Sequence, residues 1–120
     1  MKAKPLKLEK EFFYELGIFA ATLITLCFLY KNNLLVTALL LTYWIFCLKF
    51  WHTKRDFFAF VSGAVLGPIA EIIAIHYGVW NYANPSFLNI PLWLPLAWGI
   101  FTMMIVRLTN VLTKHYGVKW

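Results

Sequence analysis

The sequence predicts an all-α integral membrane protein, a four-helix bundle with short loops in which the whole chain, 1–120, is a single transmembrane domain. Three observations predict it. Of the 120 residues 62% are hydrophobic and 13% charged, whereas a soluble domain carries about 45–50% apolar and about 25% charged residues. The apolar residues fall into four runs, each near the ~20 residues that carry a helix across ~30 Å of hydrocarbon. The basic residues stand at the ends of those runs, where they set membrane orientation. A net charge of +6 therefore does not mark a nucleic-acid binder, and the apolar content excludes a disordered chain.

The first run, 12–30, follows a basic stretch with Lys2, Lys4, Lys7 and Lys10. It ends in Lys31-Asn32-Asn33 and not in a small-x-small cleavage site, so it reads as a retained helix and not a signal peptide. The second run, 34–51, follows that turn directly. The third, 57–80, comes after the polar turn His52-Thr53-Lys54-Arg55-Asp56, and the fourth, 91–112, after the loop 81–90. None alternates in polarity as a barrel strand does. With the amino terminus inside, Lys2, Lys4, Lys7, Lys10, Lys49, Lys54, Arg55, Arg107, Lys114 and Lys119 face inward and only Lys31 faces outward. Both termini are thus expected in the cytoplasm, with the chain in the cell membrane.

Cys27 and Cys47 lie near opposite ends of their helices, about 15 Å apart in depth. A disulfide needs Cα atoms within about 7 Å, so both are expected as reduced packing residues. No metal-ligand spacing, phosphate loop or nucleophile elbow is present, and neither a metal nor a cofactor is expected.

Charge inside a bilayer is expensive and asks for a partner or a purpose. Glu71 stands about nine residues, or roughly 13 Å, below the outer end of the third run, with no basic residue at its depth. It is expected to carry its proton at rest and is the candidate general acid. Gly63, Gly67, Ala70, Glu71, Ala74 and Gly78 share one helical stripe, with Gly63 and Gly67 forming a close-approach pair and Gly78 extending the packing seam. Pro68 frees a backbone carbonyl below Glu71. His76 lies about 140° around the helix from Glu71 and reads as an interfacial histidine or a second proton-transfer candidate. Glu15 is expected at the inner interface. Arg107 is expected to reach the inner headgroups or to pair with Asp56 or Glu15.

The aromatic residues sort by level. Trp80, Tyr82 and Trp93 suit an outer belt, and Trp51 and Trp120 an inner one. Tyr43, Trp44 and Trp98, with Thr102 one turn below Trp98, count to the depth of Glu71. A carboxylic acid ringed by such residues fits a long unsaturated chain, and equally fits a packed core around a satisfied acid.

The segment 67–104, GPIAEIIAIHYGVWNYANPSFLNIPLWLPLAWGIFTMM, resembles the membrane-integral carotenoid biosynthesis proteins of the carotenoid 1,2-hydratase (bisanhydrobacterioruberin hydratase) type. More loosely it resembles the small lycopene cyclase subunits. The residues that carry the resemblance are Glu71, Gly78, Tyr82, Pro91 and Pro95-Leu96-Ala97-Trp98. The family's chains are longer, its loop has a Gly-Pro-aromatic-Gly form where this chain has Gly78-Val79-Trp80-Asn81-Tyr82, and the acidic pair of the cyclases is absent near Leu92 and Trp93.

The resemblance implies a carotenoid or isoprenoid hydratase- or cyclase-like enzyme. Glu71 would protonate a double bond, Trp98, Tyr43 or Trp44 would stabilise the cation, and His76, Asn81 or Tyr82 would position water. Two other classes stand beside it: a non-catalytic structural or assembly subunit of a membrane complex, docked through the glycine seam, and a small oligomeric proton-coupled transporter built on Glu71. Membrane lipid is the expected partner, with a membrane protein or a second copy of the chain as further partners the seam allows, and no nucleic acid.

Overall fold

The computed structural model describes residues 8–50 and 53–118, the side chains of Leu8, Glu9 and Phe50 excepted. Four helices follow one another: α1 (Leu8–Leu29), α2 (Asn33–Phe50), α3 (Lys54–His76) and α4 (Leu94–His115). Among the described residues there is no strand, and the one isolated bridge joins Phe87 to Ile90 in the loop before α4. The architecture is the all-α membrane bundle the composition predicts. Lys10–Leu29, α3 and α4 are long and apolar enough to cross a membrane, whereas the apolar part of α2, Asn33–Lys49, is shorter. At 1.5 Å per residue the 18 residues of α2 rise about 27 Å, just short of a ~30 Å hydrocarbon core. The molecule's long axis is 43 Å, which matches the ~40–45 Å of a bilayer with its headgroups.

Local chemistry sets the ends. The Asn32 side chain accepts from the Leu35 N–H at 3.1 Å and so caps α2. At the start of α3, Thr53 donates its backbone N–H and its hydroxyl to Asp56 Oδ2, at 2.7 and 3.0 Å. Gly78 and Gly117 close α3 and α4 in the same way. Each has positive φ (80° and 71°), and in each case the next residue's N–H reaches back to a carbonyl five residues earlier: Val79 to Ala74 at 3.0 Å and Val118 to Thr113 at 2.7 Å.

The helix bounds differ from the expected ones for this reason. The third run, expected to continue to 80, stops at His76 because Gly78 turns the chain. The fourth, expected from 91, starts at Leu94, after Pro91 and with Pro95 in its first turn. The first and third helices begin earlier than expected because Leu8 and Lys54 extend their polar first turns. Trp51 and Trp120 of the inner belt, and Lys2, Lys4, Lys7 and Lys119 of the charge count, lie outside the described residues.

α4 is the hub. It packs on α1, α2 and α3, and its interface with α3 is the broadest in the molecule. Val36 and Leu40 of α2 and Ile100 and Met103 of α4 all belong to the fully buried core cluster. The outward faces carry Phe28, Leu34, Leu66 and Ile73, large apolar side chains suited to a lipid solvent.

Candidate functional site

The α3–α4 interface is a zipper of glycines and large side chains. A Cβ placed on Gly67 would lie less than 3.0 Å from three atoms of the Trp98 indole. One placed on Gly63 would come as close to Thr102 and to the Trp98 carbonyl, and one on Gly99 to the Phe60 ring. Glycine at these positions lets each large group lie flat on the opposing backbone. Thr102 is tied to its own helix, donating to the Trp98 carbonyl at 2.7 Å. The seam expected to receive a partner is therefore filled by the chain's own α4. Its buried positions are Asp56, Phe60, Gly63, Gly67, Pro68, Glu71 and Ile75, while Ala70 and Gly78 are exposed. A Cβ placed on Gly78 would meet nothing within 4 Å, so this glycine terminates the helix and does not pack against a neighbour.

Trp98, pressed onto Gly67, is thereby aimed at Glu71. Its indole N–H donates to Glu71 Oε2. The other oxygen, Oε1, accepts from the Tyr82 hydroxyl, which the loop 77–93 folds back over the end of α3. Glu71 is only 7% exposed and is held by these two neutral donors. Burial pushes the Tyr82 phenol above its ordinary range, and the hydrogen bond and charge of Glu71 push it further, so it keeps its proton. The Tyr82 ring also stands edge-on to Trp93, with centroids 6.0 Å apart at 88°.

Beside this carboxyl group lies a cavity of about 370 Å³. Leu26 of α1, Leu94, Ala97, Trp98 and Phe101 of α4, and Tyr82 and Trp93 of the loop line it with Glu71. The size and the composition, apolar and aromatic with few polar groups, are those of a small-molecule site. Among the described residues no three of His, Cys, Asp and Glu come together to hold a metal ion.

Of the residues singled out in the sequence, Glu71, Tyr82, Trp93 and Trp98 meet at the cavity, and Gly63, Gly67 and Thr102 support it from the seam. The others do not join them. His76 is exposed and stands edge-on to Tyr77, with centroids 5.2 Å apart. Trp80 is exposed in the loop and does not line the cavity. The Tyr43 hydroxyl is bonded to Thr25 Oγ1 at 2.9 Å between α1 and α2. Trp44 stacks on Phe60, with centroids 4.1 Å apart at 14°. The expected ring of Tyr43 and Trp44 around Glu71 fails because α3 ends early. Glu71 is five residues from His76, about 8 Å below the helix end and not about 13 Å. Trp44, eleven residues into α2, sits about 16 Å from that helix's start and faces the other half of α3.

That other half holds a second polar cluster. Arg107 Nη2 donates to Asp56, and its Nε stands 3.1 Å from Glu11 Oε1. Asp56 is 3% exposed, and Glu15, expected at the interface, is 1% exposed on a face of α1 that lies near Cys47 of α2. Arg107 takes Asp56, one of the partners expected for it, and adds Glu11.

Sequence reasoning missed Leu26, Leu94 and Phe101, whose residue types are common in any apolar helix, and named Ala97 only within the Pro95-Leu96-Ala97-Trp98 motif. It also missed Gly99, which lies one turn below Pro95 in a small-residue position facing Phe60. Asn33, read only as part of a turn, accepts from the Trp93 indole N–H at 3.2 Å. An amide at a helix start among apolar residues was the available signal.

The chain belongs to the family of proteins of unknown function DUF2878, which matches residues 15–119. No curated protein and no solved structure matches it.

Proposed function

We propose that this DUF2878 protein is a multi-pass protein of the cell membrane that takes the chain of an isoprenoid or polyene lipid into the cavity between α1 and α4 and acts on it through the Glu71 carboxyl group. One observation carries the reading: a buried acid held by two neutral donors stands in the wall of an apolar, aromatic cavity. Apolar walls recognise a hydrocarbon chain, and the aromatic faces of Trp93, Trp98 and Phe101 favour one with π-electrons. The resemblance of 67–104 to carotenoid biosynthesis proteins supports the same ligand class.

Acid chemistry on a carbon–carbon double bond follows from this arrangement. Glu71 gives its proton to one alkene carbon, the π pair forms the new C–H bond, and the neighbouring carbon is left as a cation beside the indole faces. Water adds to the cation and the resulting oxonium loses a proton. Alternatively, a second double bond of the chain attacks it, forming a C–C bond and moving the charge to a new carbon, whose neighbour then loses a proton as a double bond forms. In either case the proton returns to the Glu71 carboxylate. The Tyr82 hydroxyl donates or accepts, so it keeps its bond to Glu71 in both protonation states. The reading includes orientation: ten basic residues against one support both termini on the cytoplasmic side.

Mass spectrometry of lipid extracted from protein purified in mild detergent tests the reading. Wild type should hold a long unsaturated isoprenoid chain, in part hydrated or cyclised, in stoichiometric amount, and Glu71→Gln should hold the unreacted chain alone. Reacted chain in both, or bulk phospholipid alone, overturns it.

A further inference from the structure

The loop 77–93 roofs the cavity, and a side chain from α2 grips it at three points. Asn33, the first residue of α2, gives one Nδ2 hydrogen to the Asn84 carbonyl at 2.8 Å and the other to Ser86 Oγ at 2.7 Å. Its Oδ1 accepts from the Trp93 indole at 3.2 Å. Its orientation follows from its partners, since an indole N–H can only donate and a backbone carbonyl can only accept. Both amide hydrogens and the carbonyl oxygen are thus engaged by the loop.

The segment it grips is itself tightly built. Phe87 and Ile90 exchange bonds at 3.1 and 2.8 Å around Leu88 and Asn89, whose φ values are 47° and 64°. Ser86 Oγ, which receives the Asn33 amide, also accepts from the Leu92 N–H at 3.1 Å. Asn84 returns the contact by donating to the Lys31 carbonyl at 2.8 Å, in the turn before α2. Asn33 therefore ties the α1–α2 turn to the loop stretch that runs from Tyr82 to Trp93. One end of that stretch bonds Glu71, and the other walls the cavity.

We infer that Asn33 is the positioning residue of this cavity: it does not line the cavity itself, but fixes the loop that presents Tyr82 to Glu71 and the indole of Trp93 to the occupant. Its consequence for lipid rests on the function proposed above, while its effect on the loop does not. A residue that held the fold in general would loosen every helix when lost. The Asn33 side chain bonds only groups of the loop, Trp93 included, so its loss should be felt there.

The test uses the full chain in micelles with Asn33→Ala and Asn33→Asp. Asparagine to aspartate keeps the acceptor for Trp93 and removes both donors to the loop. Hydrogen exchange across 83–92 should rise about tenfold or more in Asn33→Ala, from the loss of two hydrogen bonds. Exchange within α3 and α4 should stay as in wild type. The Trp93 indole N–H resonance should shift in Asn33→Ala and return toward its wild-type position in Asn33→Asp. Retained lipid should fall about tenfold in Asn33→Ala, in proportion to the opened roof. Unchanged loop exchange together with an unmoved Trp93 resonance overturns the inference, as does wild-type lipid retention in a variant whose loop has loosened. Absence of lipid from wild type overturns the proposed function instead, and the exchange and resonance arms still decide the role of Asn33.

Discussion

The two halves of the α3–α4 interface bury carboxyl groups in opposite ways. At one end Asp56 and Glu11 share the guanidinium of Arg107, and α1, α3 and α4 are bound together by the charge. At the other end Glu71 meets no cation among the described residues and is held by an indole N–H and a phenol. The first cluster satisfies the general demand on buried charge, a partner of opposite sign, and acts as a clamp. The second leaves an acid with two neutral donors and no counter-charge, beside a cavity of about 370 Å³. The neighbours of each acid, more than its depth, distinguish the ion-paired end from the neutral one.

Removal of the cation should have the largest effect. Arg107→Met leaves Asp56 and Glu11 buried without their partner and should cost about 3–5 kcal/mol of unfolding free energy in mixed micelles. The cavity end of any fraction that still folds should keep its lipid. Next in size is Gly67→Leu, which drives a side chain into the Trp98 indole. About 3 kcal/mol should be lost, and lipid retention with it, because Trp98 can no longer reach Glu71.

Glu71→Gln should separate the two ends further. Its amide oxygen can accept from the Trp98 indole and its N–H₂ can donate to the Tyr82 oxygen, so it should cost less than about 1 kcal/mol, yet stop conversion of the bound lipid. A loss as large as that of Arg107→Met would make Glu71 another clamp.

A smaller effect concerns Tyr82. Its phenol lies above its ordinary range, so its folded form favours the protonated state. Stability from this bond is complete below the unfolded value of about 10 and declines only as pH rises above it. The difference in phenolate absorbance between wild type and Tyr82→Phe should therefore be absent at the pH where free tyrosine is half ionised. Smallest of all, His76→Ala should change stability by less than about 0.5 kcal/mol and leave lipid retention intact, since His76 is exposed and does not line the cavity.

The bundle itself was legible because length and apolar runs are local properties. Glu71, Gly67 and Trp98 were legible because a lone acid, a glycine pair and a tryptophan at matching depth all count along one axis. What failed was the count's origin. Gly78 marks a helix end as readily as it marks a packing face, and reading it as packing moved Glu71 about 5 Å too deep and drew Tyr43 and Trp44 toward it. Glu15 was misplaced for a different reason: position near a helix end says nothing about which face a neighbouring helix will cover. Asn33, Asn84 and Ser86 could not be joined from sequence, since their bonds span more than fifty residues through a loop with no periodicity.

Energy transfer from tryptophan to a short isoprenoid polyene such as a retinoid, titrated into the purified protein, reports occupancy of the cavity. Trp93 and Trp98 line the cavity, so an occupant sits against two donors. Quenching of wild type should be saturable, should be abolished in Gly67→Leu, which displaces the Trp98 indole, and should be unchanged in His76→Ala. Non-saturable quenching that is the same in wild type and Gly67→Leu would show that no polyene enters the cavity.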